Sequence, residues 1–324
     1  MSESRFGPSS RIAVATGLSV AALASVVWPL ATYTLTLATF GLAHVVAELR
    51  YVDLRFGRSL GRTLARAMAV VLLGVVVVRG ASIAGVVGRP ASLIIELGLG
   101  FSLVALVLPS LFRGSTGRGV VGLAVAACLA FAIVFEPAAG LLSIAVLHNF
   151  TPVGFIAEAT SGAQRRRALA ACALVFVVIP VVIASGAPWR ALASLDLVAP
   201  ETSPLGYGPL QEAMKAYLPV SALDPLRALH LFCACVFLQC AHYIAVLLVL
   251  PRSLPAAARG RLRWPAARWW PWILAATALA LVPFAFDFAV ARRGYGVFAA
   301  VHAWVEVPIL LLALVGIHSS RSKP

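Results

Sequence analysis

Charge is scarce in this 324-residue chain: only 12% of its residues are Asp, Glu, Lys or Arg, against about 25% in soluble globular domains. That scarcity excludes a soluble enzyme, and the 61% of hydrophobic residues points instead to an integral membrane protein. Lysine is nearly missing, Lys215 and Lys323 being the only two, so the net charge of +14 rests on arginine. In a chain this apolar, such a balance speaks of membrane topology and not of nucleic-acid binding. The five cysteines, Cys128, Cys172, Cys233, Cys235 and Cys240, sit inside apolar runs with no CxxC pair among them. This argues against a disulfide framework and leaves the thiols as small hydrophobes. There is no Walker loop, no GxGxxG after a strand and no HExxH, so the common signatures of soluble enzymes give no lead. The polar start MSESRFGPSSR leads into an apolar run that reaches Trp28-Pro29 without a small-residue cleavage site. It reads as a retained first span.

What is present is a series of long apolar runs. A membrane-crossing helix needs about 20 apolar residues, and ten candidates occur: 12–28, 31–51, 63–79, 91–112, 119–135, 138–160, 168–185, 226–250, 270–290 and 297–317. With both ends in the cytoplasm, 19 of the 26 Lys and Arg fall on the inner side, as the positive-inside rule prefers. The expected fold is therefore all-α: a polytopic bundle of about ten transmembrane helices, termini cytoplasmic, forming a single membrane domain over 1–324. The Pro-rich connection 186–224 is expected to be an ordered extramembrane loop on the outer side. Trp264, Trp269, Trp270 and Trp272 cluster beside arginines as an interfacial aromatic belt does.

Ionisable side chains inside hydrocarbon are costly, so each is a functional candidate. They fall on the even-numbered spans: His44 and Glu48, Glu96, His148 followed by Asn149, then His230, Gln239 and His242, and finally His302 and Glu306. Residues four apart share a helix face, so His44 with Glu48 and His302 with Glu306 can each aim an imidazole and a carboxylate into one cavity. His230 lies twelve residues before His242, about 18 Å along a helix, and cannot share a compact site with it on an unbroken helix. The expected metal ligands are His44, His148, His242, His302, Glu48 and Glu306, with the two glutamates binding the ion or orienting imidazoles. A mixed N/O set suits iron, manganese or zinc, and its size leans toward a dinuclear site or one iron with orienting carboxylates. Gln239, Asn149, Tyr243, Glu96 and His230 are candidates for outer positions or substrate contact.

Blander roles compete for the same residues. A single HxxxE pair is often helix glue, Tyr243 and Trp304 serve packing as readily as substrate contact, and Asn149 can bond another helix. Asp53 beside Arg50 and Arg55, Asp224 near Arg227, and Glu158 near Arg165 to Arg167 read as interfacial ion partners; His318 reads as solvated. Pro152, Pro180, Pro283 and Pro308 are placed to kink helices and open a cavity. Three other functions fit parts of the pattern: a haem-binding redox protein with paired histidines, a proton-coupled transporter using the His and Glu residues as a relay, and a scaffold.

The stretches LAHVVAELRY, VLHNFTPVGF, FLQCAHY and VHAWVEVPI resemble, in order, the polar motifs of the Brp/Blh-type bacterial β-carotene-cleaving membrane oxygenases. That family has His-x-x-x-Asp where His44 with Glu48 and His302 with Glu306 stand, His-Phe where His148 and Asn149 stand, and histidine where Leu238 stands. The resemblance implies iron-dependent oxidative chemistry on a polyene or other lipid, in a multi-pass protein of a bacterial plasma membrane. No nucleic acid is expected as a partner, and the redox partner is open.

Overall fold

The computed structural model describes residues 7–206, 208–218, 223–254, 258–265, 268, 270–279 and 281–314. Every regular element among them is helical, with no strand. The order is α1 (Pro8–Val27), α2 (Pro29–Val52), α3 (Arg62–Ile83), α4 (Arg89–Gly114), α5 (Thr116–Phe135), α6 (Pro137–Leu147), α7 (Thr151–Ala159), α8 (Gly162–Ala173), α9 (Ile179–Ala184), α10 (Ala187–Ala193), α11 (Leu210–Met214), α12 (Pro225–Ile244), α13 (Leu250–Ser253), α14 (Trp270–Ala278), α15 (Leu281–Phe286) and α16 (Phe288–Leu314).

Joined across irregular turns, these make nine apolar helices long enough to cross a membrane among the described residues. The ninth expected span, 270–290, is instead two short helices, α14 and α15, in a shorter apolar segment, Trp270–Phe286. Large apolar side chains such as Val70, Val77, Phe131, Val134 and Phe286 are exposed, which suits lipid and would be a liability in water.

Prolines punctuate the helices for a covalent reason. Proline has no N–H and its ring clashes with the carbonyl four residues back, so a ladder that reaches it must tighten or widen. A 3₁₀ turn at His148–Phe150 precedes Pro152, and wide π turns at Leu174–Val178 and Ala245–Val249 precede Pro180 and Pro251. Each time, the residue four before the proline lies within the irregular turn: His148, Phe176 and Leu247. At helix starts proline is harmless, and α1, α4, α6 and α12 carry one there. Asp224, expected to pair with the Arg227 side chain, is the N-cap of α12 and accepts from the Arg227 backbone amide at 3.1 Å.

The chain divides into two units. The first comprises Met1–Ala47, Pro152–Leu254 and Pro265–Arg292. Its centre is α12, packed against α1 and α9, and the span that begins with it is the most buried of the nine. The connection after α10 folds back onto this unit: the Ala199 amide bonds the Val27 carbonyl at 2.8 Å, and Ser203 meets Thr34 at 3.2 Å. Tyr217, Tyr33, Phe232 and Phe288 stack edge-on or tilted around one another. Gly186 takes a left-handed φ of 73° under the His230 ring, where a Cβ would lie 2.2 Å from a ring atom. Only glycine meets both demands.

The second unit comprises Glu48–Thr151, Pro255–Trp264 and Arg293–Pro324. Its hub is α4, packed on α3, α5 and α6. Small residues let the backbones approach: a Cβ at Gly119 would strike Phe112, and one at Gly122 would strike Leu111. Asp53, expected to pair with neighbouring arginines, instead holds a loop. Its carboxylate accepts from the Arg261 and Leu262 amides, both at 3.0 Å, and from Trp264 Nε1 at 2.8 Å. Arg261 in turn donates to the Gly57 and Leu60 carbonyls.

Candidate metal centre

In the second unit three predicted ligands converge. One ligand atom from each of Glu48, His148 and His302 lies within 4.8 Å of the other two. His148 reaches this point because its helix tightens there. With Pro152 four residues on, its carbonyl lacks the amide donor of an α-helix and takes the Thr151 amide and, at 2.8 Å, the Thr151 hydroxyl instead. His302 and Glu306 lie one turn apart on α16, with Pro308 beyond them. Glu48, Glu306 and His302 are at most 1% exposed, while the His148 side chain is 12% exposed.

The ring nitrogens settle into two roles. His148 Nδ1 lies 2.7 Å from Glu306 Oε2, and His302 Nδ1 faces the Phe298 carbonyl at 3.4 Å. A carbonyl accepts only, so the contact favours the His302 tautomer with its proton on Nδ1, and a carboxylate favours the same tautomer at His148. Both Nε2 atoms are then lone-pair donors, and they face each other at 3.0 Å. Two lone pairs at that separation repel unless a proton or a metal cation lies between them. Two nitrogens bound at about 2.1 Å at right angles around one metal ion would be about 3.0 Å apart, so the spacing fits a shared ion.

The carboxyl groups add to the case. Glu306 and Glu48 interact directly, and both are fully buried. Two buried carboxylates in contact need a balancing proton or cation. This His/Glu group can hold a metal ion.

The first unit holds the other two predicted ligands. His44 on α2 and His242 on α12 pack edge to face, ring centroids 5.3 Å apart and both at most 2% exposed. His44 repeats the tautomer pattern, with Nδ1 3.2 Å from the Phe40 carbonyl one turn earlier. Because α2 is unbroken from Pro29 to Val52, His44 lies one turn before Glu48 on the same face.

The outer candidates sort differently. Tyr243 packs its ring on His44, with centroids 4.2 Å apart. Asn149 turns back to its own helix, donating to the Ala145 and Val146 carbonyls. Gln239 accepts from the Tyr217 hydroxyl and donates to Thr36 at 3.1 Å, a bond between α12 and α2. His230 stands against Trp189 near the start of α12, ring centroids 5.4 Å apart, twelve positions from His242 on a continuous helix. Glu96 is held in a two-pronged ion pair with Arg79, both contacts at 2.8 Å, and accepts from Trp304 Nε1 at 3.0 Å. Arg79 went unremarked in the sequence because it sits at the edge of its apolar run. His318 lies outside the described residues.

One spelling invites a different chemistry. Residues 57–61 read GRSLG, the GxSxG form of a nucleophile elbow, which requires a strand leading into a helix. Here the segment follows the π turn Asp53–Gly57 at the end of α2, and the Ser59 hydroxyl donates to the Phe56 carbonyl at 2.7 Å. The strand context is missing among the described residues.

Compared with protein-family models, curated proteins and solved structures, the chain matches none.

Proposed function

We propose that this chain is a membrane-embedded non-haem metal enzyme, with iron as the metal, doing oxidative chemistry on a lipophilic substrate such as a carotenoid or another lipid. The observation that carries the metal is the pair of Nε2 atoms of His148 and His302 facing each other at 3.0 Å while a carboxylate and a carbonyl occupy their Nδ1 atoms. Imidazole with carboxylate suits iron among the common metals. Bound iron would supply the one-electron and O₂ chemistry that no side chain here provides. The chain's own part is to hold and orient it. His148 and His302 ligate, Glu306 fixes the His148 ring, and Glu48 brings the negative charge that balances a cation. His44 and His242, ring against ring in the first unit, are the further ligands expected from the sequence. The substrate class is supported by the lipid-facing helices and by the order of the four stretches that resemble the carotene-cleaving oxygenases.

The arginine distribution supports a multi-pass protein of a bacterial plasma membrane with both ends in the cytoplasm. Reporter fusions at the two ends test that orientation. The metal reading is tested by elemental analysis and an ultraviolet-visible spectrum on one detergent-purified sample. One or two irons per chain without a Soret band is the expected result. Folded protein free of metal after preparation without chelator would overturn it, and a Soret band would replace it with a haem protein.

A further inference from the structure

The rear face of α16 is gripped at two points by one ion pair. Arg79 on α3 binds Glu96 on α4 through both nitrogens of its fork, and its remaining nitrogen donates to the Gly296 carbonyl of α16 at 2.8 Å. Two turns further along α16, Trp304 Nε1 donates to Glu96 Oε1 at 3.0 Å. Trp304 lies between His302 and Glu306 in sequence, and at 100° per residue its side chain leaves the helix on the opposite side. Its ring is 1% exposed and rests on the bare backbone of Gly100, where a Cβ would fall 2.1 Å from a ring atom.

An ion pair in an apolar setting is weak evidence for stability, since desolvation offsets most of its attraction, and registry is its best-attested use. Here the geometry shows what would be registered. Contacts at 296 and 304 from one fixed carboxylate and guanidinium remove both rotation of α16 about its axis and sliding along it. Those are the two motions that would separate His302 Nε2 from His148 Nε2 and the Glu306 carboxylate from His148 Nδ1.

We propose that Arg79, Glu96 and Trp304 form a clamp that sets the rotation and register of α16, and so act as positioning residues for the metal ligands on its other face. This rests on the metal reading above. The test is Co(II) titration of the full-length protein in detergent, reading both affinity and the visible ligand-field spectrum, for wild type, Trp304→Phe and Glu96→Gln. Trp304→Phe keeps an aromatic ring but removes the N–H and the outer ring atoms that rest on Gly100, while Glu96→Gln keeps the shape and removes the charge. Expected is a 10- to 100-fold weaker Co(II) affinity, the usual effect of losing an outer partner, together with an altered spectrum, at unchanged helical content. Trp189→Phe, in the first unit, should change neither. Variants that match wild type in affinity and spectrum, even with a lower melting temperature, would make the clamp mere packing and overturn the proposal while leaving the metal reading intact. Wild type that takes up no Co(II) would overturn both.

Discussion

A histidine can offer a metal only the ring nitrogen that carries no proton, so what holds the other nitrogen decides whether it is a ligand at all. At His148 that holder is Glu306, from a residue 158 positions away; at His302 and His44 it is the carbonyl one turn back. The two HxxxE spacings were legible as shared helix faces, and so was the exclusion of His230. What spacing alone does not separate is a ligating carboxylate from an orienting one, because that depends on which helix lies opposite. Glu306→Gln is a direct probe of this. The amide oxygen can still accept the Nδ1 proton, but the charge that favours that tautomer is gone. Metal affinity should fall 10- to 100-fold with helical content unchanged, measured by competition with a chelator of known affinity. Asp53 and Glu96 teach the same lesson. Asp53 has arginine neighbours that suggest an ion pair and Glu96 stands alone in an apolar run, yet each is satisfied by groups elsewhere in the second unit: loop amides for Asp53, Arg79 and Trp304 for Glu96.

At the scale of the element, the apolar runs announced their helices, and Pro152 and Pro180 announced breaks. The kind of break was not readable, because proline forbids one hydrogen bond without dictating whether the turn tightens, as at His148, or widens, as at Leu174–Val178. Pro152→Ala would return an amide donor to the His148 carbonyl and let α6 run straight into α7. Thermal stability in detergent should rise, by up to about 3 kcal/mol if the full cost of an interior proline is relieved. Metal affinity should fall, since the His148 ring would turn with its backbone. A variant more stable and equally tight would show that the 3₁₀ turn does not aim the ligand. Between α2 and α12, the Gln239 to Thr36 bond can be measured by a double-mutant cycle with Gln239→Leu and Thr36→Val. Interhelical hydrogen bonds in a membrane average about 0.6 kcal/mol, and a coupling near that value is expected here. Sequence spacing does not show that bond, because nearness to His242 along α12 says nothing of the reach of Gln239 toward α2.

For the molecule as a whole, hydropathy was a sound guide to the number of crossing helices until 270–290, where Leu279 and Pro283 fall in and after a gap between α14 and α15. The division into two units was not legible, since its boundaries at Ala47 and Arg292 fall inside the continuous helices α2 and α16, where no break in the helix marks them. The exposure pattern carries one more consequence. In the second unit Glu48, Glu306 and His302 are each no more than 1% exposed, and of these ligands and His148 only His148, at the 3₁₀ turn, is partly open. An ion held by such residues is shielded from bulk water on every side but that of His148, so its loss is expected to wait on an opening of the protein. With excess EDTA, loss of metal from the folded protein should therefore follow a first-order rate that does not change with EDTA concentration. A rate that climbs in proportion to chelator would mean that EDTA reaches the ion directly. If the rate is flat, the time constant of metal loss is the opening time of the protein itself, and the centre is filled when the chain folds and then retained.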